Sequence, residues 1–373
     1  MIEIKQVSTK RERKEFLNFP LKLYKKNKFY APPLYIDEKK LFKTNHRFYG
    51  LAEAVYFLAY KDGELSGRIC AILQTSSNER WGQKRVRFSR FDCINDQQVA
   101  DALFNSAEQW AKEKGMEEIV GPLGFSENER TGVLIEGFEE VSPFEGNYNY
   151  EYYQSLIENN GYKKEVDFIE KKLFAPKEKD EKAEQVVQKI LERNKLRLAK
   201  TKNVGKVLRK YGDGIFNVLE QNADKIYGSV PYTKKEKKLM LQNLSIVMNK
   251  KFLTIVVNKE KKVVAFAIGI PSISRSVQKS GGKISFPAMF KILHEKTHPK
   301  VVSLSLVGVL PEYQSIGVGG ILIAQTTKNL AKRKRIKYVE SGLIREDDLV
   351  LQNQWHRFES QTFRKCRVYV KNI

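Results

Sequence analysis

The sequence predicts a mixed α/β protein in which one structural plan occurs twice. In the first half, apolar runs at Val55–Tyr60 and Leu65–Leu73 flank Asp62–Gly63, a pair typical of a tight hairpin turn because both turn positions need a positive φ. In the second half, Leu253–Val257 and Val263–Ile270 form the same pair of runs around a longer turn. Two hairpins at corresponding places predict two domains of similar architecture.

Each predicted hairpin is followed by a strand, an amphipathic helix and a further strand. These are Val86–Phe91, Gln98–Lys114 and Glu118–Gly121 in the first half, and Val301–Val309, Gly319–Arg335 and Tyr338–Ile344 in the second. Apolar residues recur at helical spacing in both helical segments. Each half then closes with a helix and a late strand, at Tyr153–Asn160 and Val166–Phe174, and at Leu351–Phe358 and Arg364–Lys371. The class is therefore α/β of the mixed α+β kind, with a twisted mixed sheet flanked by helices in each half.

Length and charge agree with this division. A chain of 373 residues is long enough for two domains. The segment after Ala175–Pro176 is almost wholly charged before a helical pattern returns, so we place the boundary there, giving domains 1–175 and 176–373.

Composition excludes several classes of protein. Apolar residues make up 41% of the chain, which excludes a wholly disordered chain. The formal charge of +23 indicates an anionic partner, but does not choose among nucleic acid, a phosphorylated cofactor, an acidic carrier protein and an anionic membrane. The three cysteines lack CxxC spacing and are expected to be core residues in a reducing compartment. No run is apolar enough for a signal peptide or a membrane span, which predicts a cytoplasmic protein that could lie at the membrane periphery.

The most informative local motif runs from Leu306 to Gly320. A strand leads through Pro311 into a glycine-rich loop, and a helix is expected to begin near Val318. Glycines allow close approach of a ligand to the backbone, and the free N–H groups and dipole of a helix N-terminus favour an anion. Together they predict a pyrophosphate cradle. The alternative is a connection that merely lets strand and helix pack closely. A Walker A motif is excluded, because no Gly-Lys-Ser/Thr follows.

The string Gln314-x-x-Gly317-x-Gly319 after an apolar strand resembles the acetyl-CoA-binding motif of the GNAT N-acetyltransferase superfamily. The resemblance implies tandem GNAT-like domains and an acyltransferase that moves an acetyl or longer acyl group, other than an aminoacyl group, from acyl-CoA to an amine. It implies a cofactor site at the following residues: Val307, Gly308, Val309, Gln314, Ser315, Ile316, Gly317, Val318, Gly319, Gly320 and, on the next helix, Asn353.

A longer resemblance covers nearly the whole chain. The residues that carry it are Phe19–Tyr24, Ala31–Leu34, Phe57–Gly63, Gly67–Ile69, Gly121–Pro122, Gly132, Leu134, Gly137–Phe138, Tyr152–Tyr153, Gly161–Tyr162, Asp167, Pro271, Glu340, Glu346–Asp347, Arg367 and Tyr369. Through them the sequence is similar to a bacterial family of two-domain GNAT-like proteins, some of which are similar to bacterial ceramide synthases, enzymes that acylate a sphingoid amine. The sequence departs from the family pattern at Gly342–Leu343, Asp348 and Glu359–Ser360.

The first half lacks the cradle. Between its predicted strand and helix stands Asp92-Cys-Ile-Asn-Asp96, which is acidic and contains no glycine. Carboxylates there would repel a pyrophosphate. We therefore expect one cofactor site per chain, with the first domain shaping the acceptor groove.

The reaction dictates which catalytic groups to seek. A free alkylamine titrates near ~10, so a base must remove a proton before attack on the thioester. Glu340 is the candidate base, Tyr369 the candidate acid, and a main-chain N–H near Val309 the candidate oxyanion donor. His356 is a candidate proton relay. Each side chain has an alternative: a solvated strand end for Glu340, a core-edge aromatic for Tyr369 and a structural role for His356.

The basic runs Lys332–Arg335 and Lys234–Lys238 are either solvated helix faces or a surface for an acidic acyl carrier protein, CoA phosphates or anionic lipid. No nucleic-acid-binding motif accompanies them. The four histidines show no metal-ligand spacing, so no metal is expected. Two rival functions stay open: a long-chain N-acyltransferase that acts on a lipid amine with acyl-CoA or acyl carrier protein as donor, and a non-catalytic CoA-binding module.

Overall fold

The computed structural model describes residues 1–43, 50–174, 181–353 and 358–373. Its strands are β1 Ile2–Gln6, β2 Ala52–Lys61, β3 Glu64–Gln74, β4 Arg85–Cys93, β5 Glu118–Gly121, β6 Val133–Glu136, β7 Lys163–Phe174, β8 Arg197–Leu198, β9 Leu253–Val257, β10 Val263–Pro271, β11 Val301–Val309, β12 Tyr338–Glu340, β13 Ile344–Arg345 and β14 Glu359–Asn372. Its α-helices are α1 Lys10–Leu23, α2 Tyr35–Lys40, α3 Thr75–Trp81, α4 Gln97–Glu113, α5 Tyr153–Asn159, α6 Glu181–Arg193, α7 Val204–Gln221, α8 Lys234–Val247, α9 Ser274–Ser280, α10 Phe286–Thr297, α11 Pro311–Gln314, α12 Val318–Ala331 and α13 Leu349–Asn353.

All of these strands belong to one sheet, in which equivalent strands of the two halves lie at equal distances from the two edges. The order is β1-β2-β3-β4-β5-β14-β7-β12-β11-β10-β9-β8, with β6 beside β14 and β13 beside β7. Each strand of the first half thus has its counterpart at the mirrored place in the second. The mixed α/β class and the repeated plan are confirmed, and the centre of the repeat lies between β14 and β7.

The two halves exchange their last strands. β7, which ends the first half, pairs with β12 of the second, and β14, which ends the second, pairs with β5 of the first. β7 and β14 also pair with each other, from Glu359↔Phe174 to Val370↔Lys163. Each half therefore completes its sheet with a strand of the other. The boundary predicted at Ala175–Pro176 lies outside the described residues.

Most of the expected elements form close to where the sequence predicts them. The helix predicted over Leu351–Phe358 appears in part as α13, and residues 354–357 of it lie outside the described residues. Leu253–Val257 and Val301–Val309 are strands with the predicted bounds. The strand predicted over Tyr338–Ile344 is interrupted, because Gly342 adopts a left-handed conformation with φ of 72° and turns the chain between β12 and β13. α12 ends at Ala331, four residues before the predicted end at Arg335.

The helices pack on the sheet through the faces that the sequence marks as apolar. Val99, Leu103 and Ala107 on α4 are buried in the core of the first half. In the second half, α7 and the first turn of α12 cover β9 and β10, where Ile215, Phe216 and Ile321 are buried. The three cysteines are unpaired and buried, as expected of core residues.

No helix among the described residues is both long and apolar enough to cross a bilayer.

Candidate active site

The glycine-rich loop gives α12 an N-terminus without a side-chain cap. Gly317 stands at the N-cap position with φ of 85°, a left-handed conformation that side-chain-bearing residues rarely adopt. A side chain at Gly319 or Gly320 would meet nothing within 4 Å, so the space in front of the first turn is open. No side-chain hydrogen bond caps this helix within the described part of the chain. Main-chain donors and the helix dipole at this terminus can thus face an anionic ligand.

Gln314 fixes the loop to the end of β11. Its Nε2 donates to the carbonyl oxygen of Val309 at 3.1 Å and to Oδ1 of Asn222 at 2.9 Å, and its Oε1 accepts from Nζ of Lys225 at 2.9 Å. Asn222 Nδ2 donates to the same Val309 oxygen at 3.0 Å. These contacts tie the glycine-rich loop to the end of β11 and to α7, while Gln314 itself stays exposed, and its part in cofactor binding stays a prediction.

The N-terminus of α4, the corresponding helix of the first half, is capped by a side chain of the chain itself. Asp96 caps α4 by accepting from Val99 N, and it is paired with Lys61. Asp92 is buried, and its carboxylate binds Nε of Arg68 at 2.8 Å and the hydroxyl of Tyr24 at 3.1 Å. The chain's own carboxylate thus caps the helix end that corresponds to the uncapped N-terminus of α12.

β11 and β12 separate after only three residue pairs. Their parallel pairing ends at Ser303↔Glu340, while β11 continues to Val309 and the chain after Glu340 turns away to β13 beside β7. In the parts of the chain that the structure describes, no strand pairs with this edge of β11 beyond Ser303. The result is a wedge that begins beside Leu304, where Gly342 still lies close to the Leu304 carbonyl oxygen, and that opens toward Val309 and the glycine-rich start of α12. An extended ligand can add main-chain hydrogen bonds to such an edge.

A β-bulge lies inside the wedge at Ser305. The pairs Ile268↔Leu306 and Gly269↔Leu304 leave Ser305 without an opposing residue on β10. Bulges redirect side chains and are common beside active sites. Ser305 Oγ donates to the carboxylate of Glu145, a residue of the first half, with both oxygens at 3.2 Å. Burial in the cleft raises the pKa of Glu145, although the residue keeps an exposed surface.

At the corresponding place in the first half, the bulge of β4 is filled. Arg90 adopts φ of 50° there, and its guanidinium pairs with Glu38 at 2.8 Å and Glu129 at 3.0 Å. A salt-bridged side chain thus occupies the region that is open at Ser305.

Glu340 stands at the closed end of the wedge. It is 5% exposed, so the alternative of a solvated strand end is wrong. Burial raises the pKa of Glu340 to about 7, with a further contribution from the nearby Glu170, whereas the hydrogen bond donated by Ser303 opposes the shift. A carboxyl group with a pKa near neutrality can exchange a proton at physiological pH.

The oxyanion donor predicted near Val309 is too far from Glu340 to serve the same carbonyl. Leu310 N donates to Val264 O on β10, so strand alternation directs the Val309 N–H to the open edge. Six residues separate Val309 from Ser303, which is about 20 Å along a strand. The bulge at Ser305 lies only about 7 Å from Ser303. A donor that acts together with Glu340 would therefore have to lie near the bulge, and the role of the N–H near Val309 stays a prediction.

Tyr369 lies elsewhere. It aligns with Lys164 on β7, whereas Glu340 aligns with Lys172, so the two are about 26 Å apart along the sheet. Tyr369 is buried in the core of the first half, and its hydroxyl donates to Glu158 at 3.0 Å. Tyr369 and Glu340 therefore cannot act on the same reacting group, and an acid at Tyr369 does not fit a reaction in the wedge.

Several residues named by the resemblance assemble beside Tyr369. Asp167 on β7 accepts from Arg367 on β14 at 2.8 and 3.0 Å and pairs with Lys164 and Lys365. Lys365 in turn pairs with Glu346 at 2.6 Å. Burial by itself would raise the pKa of Asp167, but the hydrogen bonds and charges of Arg367 and Lys164 outweigh it and lower this pKa to about 2. The network ties the two exchanged strands together.

The remaining expected residues have separate locations. Asp348, a position where the sequence departs from the family pattern, caps α13 by accepting from Leu351 N at 2.8 Å. Asn353 is the last residue of α13, and its part in cofactor binding stays a prediction. His356 lies outside the described residues. Within them, no group of three or more His, Cys, Asp or Glu residues is arranged to hold a metal ion.

The mirrored sheet, the parting strands and the glycine-rich helix start together define the fold as that of a tandem GNAT protein. The tandem GNAT protein from the clavulanic acid biosynthesis pathway has this fold, with a TM-score of 0.55 at 10% identity over 100% of this chain and 98% of the other. The GCN5-related glucosamine N-acetyltransferase region of a fungal multi-domain β-N-acetylglucosaminidase gives a TM-score of 0.57 at 11% identity, over 100% of this chain and 38% of that one.

Two proteins are similar to this chain over almost its whole length. Protein YghO of Escherichia coli is 28% identical over 98% of this chain and 94% of its own. The bacterial ceramide synthase of Caulobacter vibrioides is 25% identical over 98% of this chain and 96% of its own. No protein-family model matches the sequence.

Proposed function

We propose that the second half of this chain is an N-acyltransferase site that moves an acyl group from an acyl-CoA thioester to an amine. The observation that carries the proposal is the open edge of β11, which leads directly from the bulge at Ser305 to the uncapped, glycine-rich start of α12. The pyrophosphate would bind at the helix start, and the thioester arm would run along the open edge. The similarity to a bacterial ceramide synthase supports the same class of reaction.

The chain's own groups suit this reaction. In its ionised form Glu340 would accept the proton that the attacking amine loses, since its pKa near 7 keeps a large ionised fraction at neutral pH. The main-chain N–H groups at the bulge would stabilise the oxyanion. Loss of one such donor typically costs on the order of 10²–10³ in rate. Glu145 would orient the amine opposite Ser305.

The acceptor is proposed to be a small-molecule or a lipid amine, and the sequence similarity favours the lipid amine. For a lipid amine, the acyl donor would be a long-chain acyl-CoA or an acylated acyl carrier protein. The length of the acyl chain distinguishes the two proposed acceptors, because an acetyl donor suits a small amine and a long acyl donor suits a lipid amine.

The test is thioester turnover followed by mass spectrometry. The purified protein is incubated with acetyl-CoA or a long-chain acyl-CoA, together with a soluble primary amine or a long-chain amino alcohol. Release of free CoA with formation of the matching amide is expected for at least one pair. Tight CoA binding without amide formation from any pair would favour a non-catalytic CoA-binding module instead.

A further inference from the structure

The helix α10 carries a stripe of large apolar side chains on its solvent side. Phe286 is 85% exposed, Phe290 69%, Leu293 47% and Met289 39%. Their spacing of three, four and seven residues places them on one face of the helix. Ile284, just before the helix, is also exposed. Contiguous exposed apolar surface of this kind marks an interaction site on a soluble protein.

The opposite side holds α10 in place, so the stripe is presented by an anchored helix. Ala288 is buried, and Ser285 caps the helix by accepting from Ala288 N. Near the other end, Asn249 Nδ2 donates to the carbonyl oxygen of Lys296 at 2.9 Å. The mirrored place in the first half has no such helix, since α3 ends at Trp81 and β4 begins at Arg85. In the second half, residues 281–300 separate α9 from β11 and contain α10.

Exposed lysines lie close to the stripe in the chain. Lys279 and Lys283 precede the helix and Lys291 lies on it outside the stripe, and all three are exposed. The Gln278 amide donates to the carbonyl oxygen of Lys28 at 2.8 Å, which places the exposed Lys28 of the first half next to the segment that leads into α10. Together with a net charge of +23, these lysines favour a negatively charged surface as the partner.

We propose that α10 binds the interface of an anionic lipid bilayer. Phe286, Phe290 and their apolar neighbours would enter the boundary between headgroups and acyl chains, while the lysines contact the headgroups. The stripe is convex, and its two largest side chains are its most exposed, which suits partial insertion into lipid better than docking in a protein groove. Twelve residues give about 18 Å of helix, too short to span a ~30 Å hydrocarbon core, so the helix lies in the plane of the surface.

Sedimentation with lipid vesicles tests the proposal on the full-length chain. Wild type is expected to bind phosphatidylcholine vesicles that contain phosphatidylglycerol, and to bind vesicles of phosphatidylcholine alone much more weakly. The double variant Phe286→Ser/Phe290→Ser should weaken binding by roughly ten-fold or more for each phenylalanine, because each loses apolar area that the lipid would bury. Lys283→Glu/Lys291→Glu should weaken it by roughly five-fold or more per residue, and added salt should diminish that difference.

Two matched controls distinguish binding through α10 from effects of net charge or of non-specific contact with lipid. Lys259→Glu/Lys262→Glu makes the same change in net charge at an exposed turn about 30 Å away, at the other end of β10, and should bind like wild type. The fluorescence of a tryptophan introduced by Phe290→Trp should be quenched by brominated lipid. The fluorescence of one introduced by Val186→Trp, on the exposed side of α6, should not be quenched.

Full vesicle binding by folded Phe286→Ser/Phe290→Ser, or equal loss in both charge-reversal variants, would overturn the proposal. A second outcome would also overturn it: the wild type forms a dimer and does not bind vesicles, and Phe286→Ser/Phe290→Ser dissociates that dimer. The stripe would then join two copies of the chain. None of these outcomes depends on thioester turnover, so the result is distinguishable from the fate of the proposed function.

Discussion

Ser305 on β11 donates a hydrogen bond to Glu145 at 3.2 Å, although 160 residues separate them in the chain. The contact joins the bulge of the second half to a loop of the first. The first half therefore forms one wall of the cleft beside Ser305. If the reaction takes place there, as proposed, the first half would lie beside the acyl group.

The first prediction concerns that contact. Glu145→Gln keeps the size of the side chain and removes its charge, so the affinity for a cationic amine should fall by about ten-fold or more. Steady-state kinetics should show a raised KM for the amine and an unchanged affinity for CoA. Glu151→Gln, at an exposed position of the first half, is the control and should leave both unchanged. Normal amine kinetics for Glu145→Gln would remove Glu145 from the acceptor site.

The second prediction concerns the cradle. Gly319→Glu adds a carboxylate in open space before α12, where it would repel a pyrophosphate. Like charges about 4 Å apart near a protein surface repel by about 4 kcal/mol, so CoA affinity should fall on the order of 100-fold or more in titration calorimetry. Asn95→Glu in the first half is the matched control and should leave affinity unaltered. An unchanged affinity in a folded Gly319→Glu protein would place CoA elsewhere.

The third prediction is a pH dependence of stability caused by Glu340. Its pKa is raised to about 7 in the folded chain, above the usual 4.5, so the unfolded chain loses this proton first as pH rises. The contribution to stability is complete below about pH 4.5 and is lost as pH rises through about 7, a difference on the order of 3 kcal/mol. Denaturant titrations of Glu340→Gln should lack this decline between the two pH values. If the stability of wild type and of Glu340→Gln fell equally over this pH range, the pH dependence would be caused by another group.

The same group gives a kinetic expectation. If ionised Glu340 accepts the amine proton, turnover should rise as pH passes through about 7, and Glu340→Gln should be slower by about 10²-fold or more with that rise abolished. A pH–rate profile at saturating acyl-CoA checks it. Wild-type turnover that is flat through this range would exclude Glu340 as the base.

The fourth prediction concerns the exchanged strands. Asp167→Asn leaves Arg367, Lys164 and Lys365 without their shared carboxylate, and should lower the free energy of unfolding by on the order of 2–3 kcal/mol. Because the pKa of Asp167 is lowered to about 2, its contribution is present above about pH 4 and is lost as pH falls toward 2.

Asp347→Asn is the control for this network, since Asp347 forms an exposed ion pair with Arg345 and should change stability by less than about 1 kcal/mol. Equal stability of the Asp167 and Asp347 variants in chemical denaturation would mean that the network does not hold the strands together.

The sequence by itself determined the repeated plan and the place of the glycine-rich start of α12. Both are local properties: the turn at Asp62–Gly63, the apolar runs and the glycines at 317, 319 and 320 act through backbone conformation over a few residues. The bounds of β9 and β11 followed for the same reason, because short apolar strands are delimited by their neighbours in the chain.

Only the tertiary structure decided which residues share the wedge. Pairing of β7 with β12 and of β14 with β5 is a long-range choice, and it moves Tyr369 into the core of the other half. The burial that raises the pKa of Glu340 and the contact between Glu145 and Ser305 arise from that same packing. An acidic residue in a loop and a serine in a strand carry no local signal that they will meet, since their proximity is produced by the exchange of strands between the two halves.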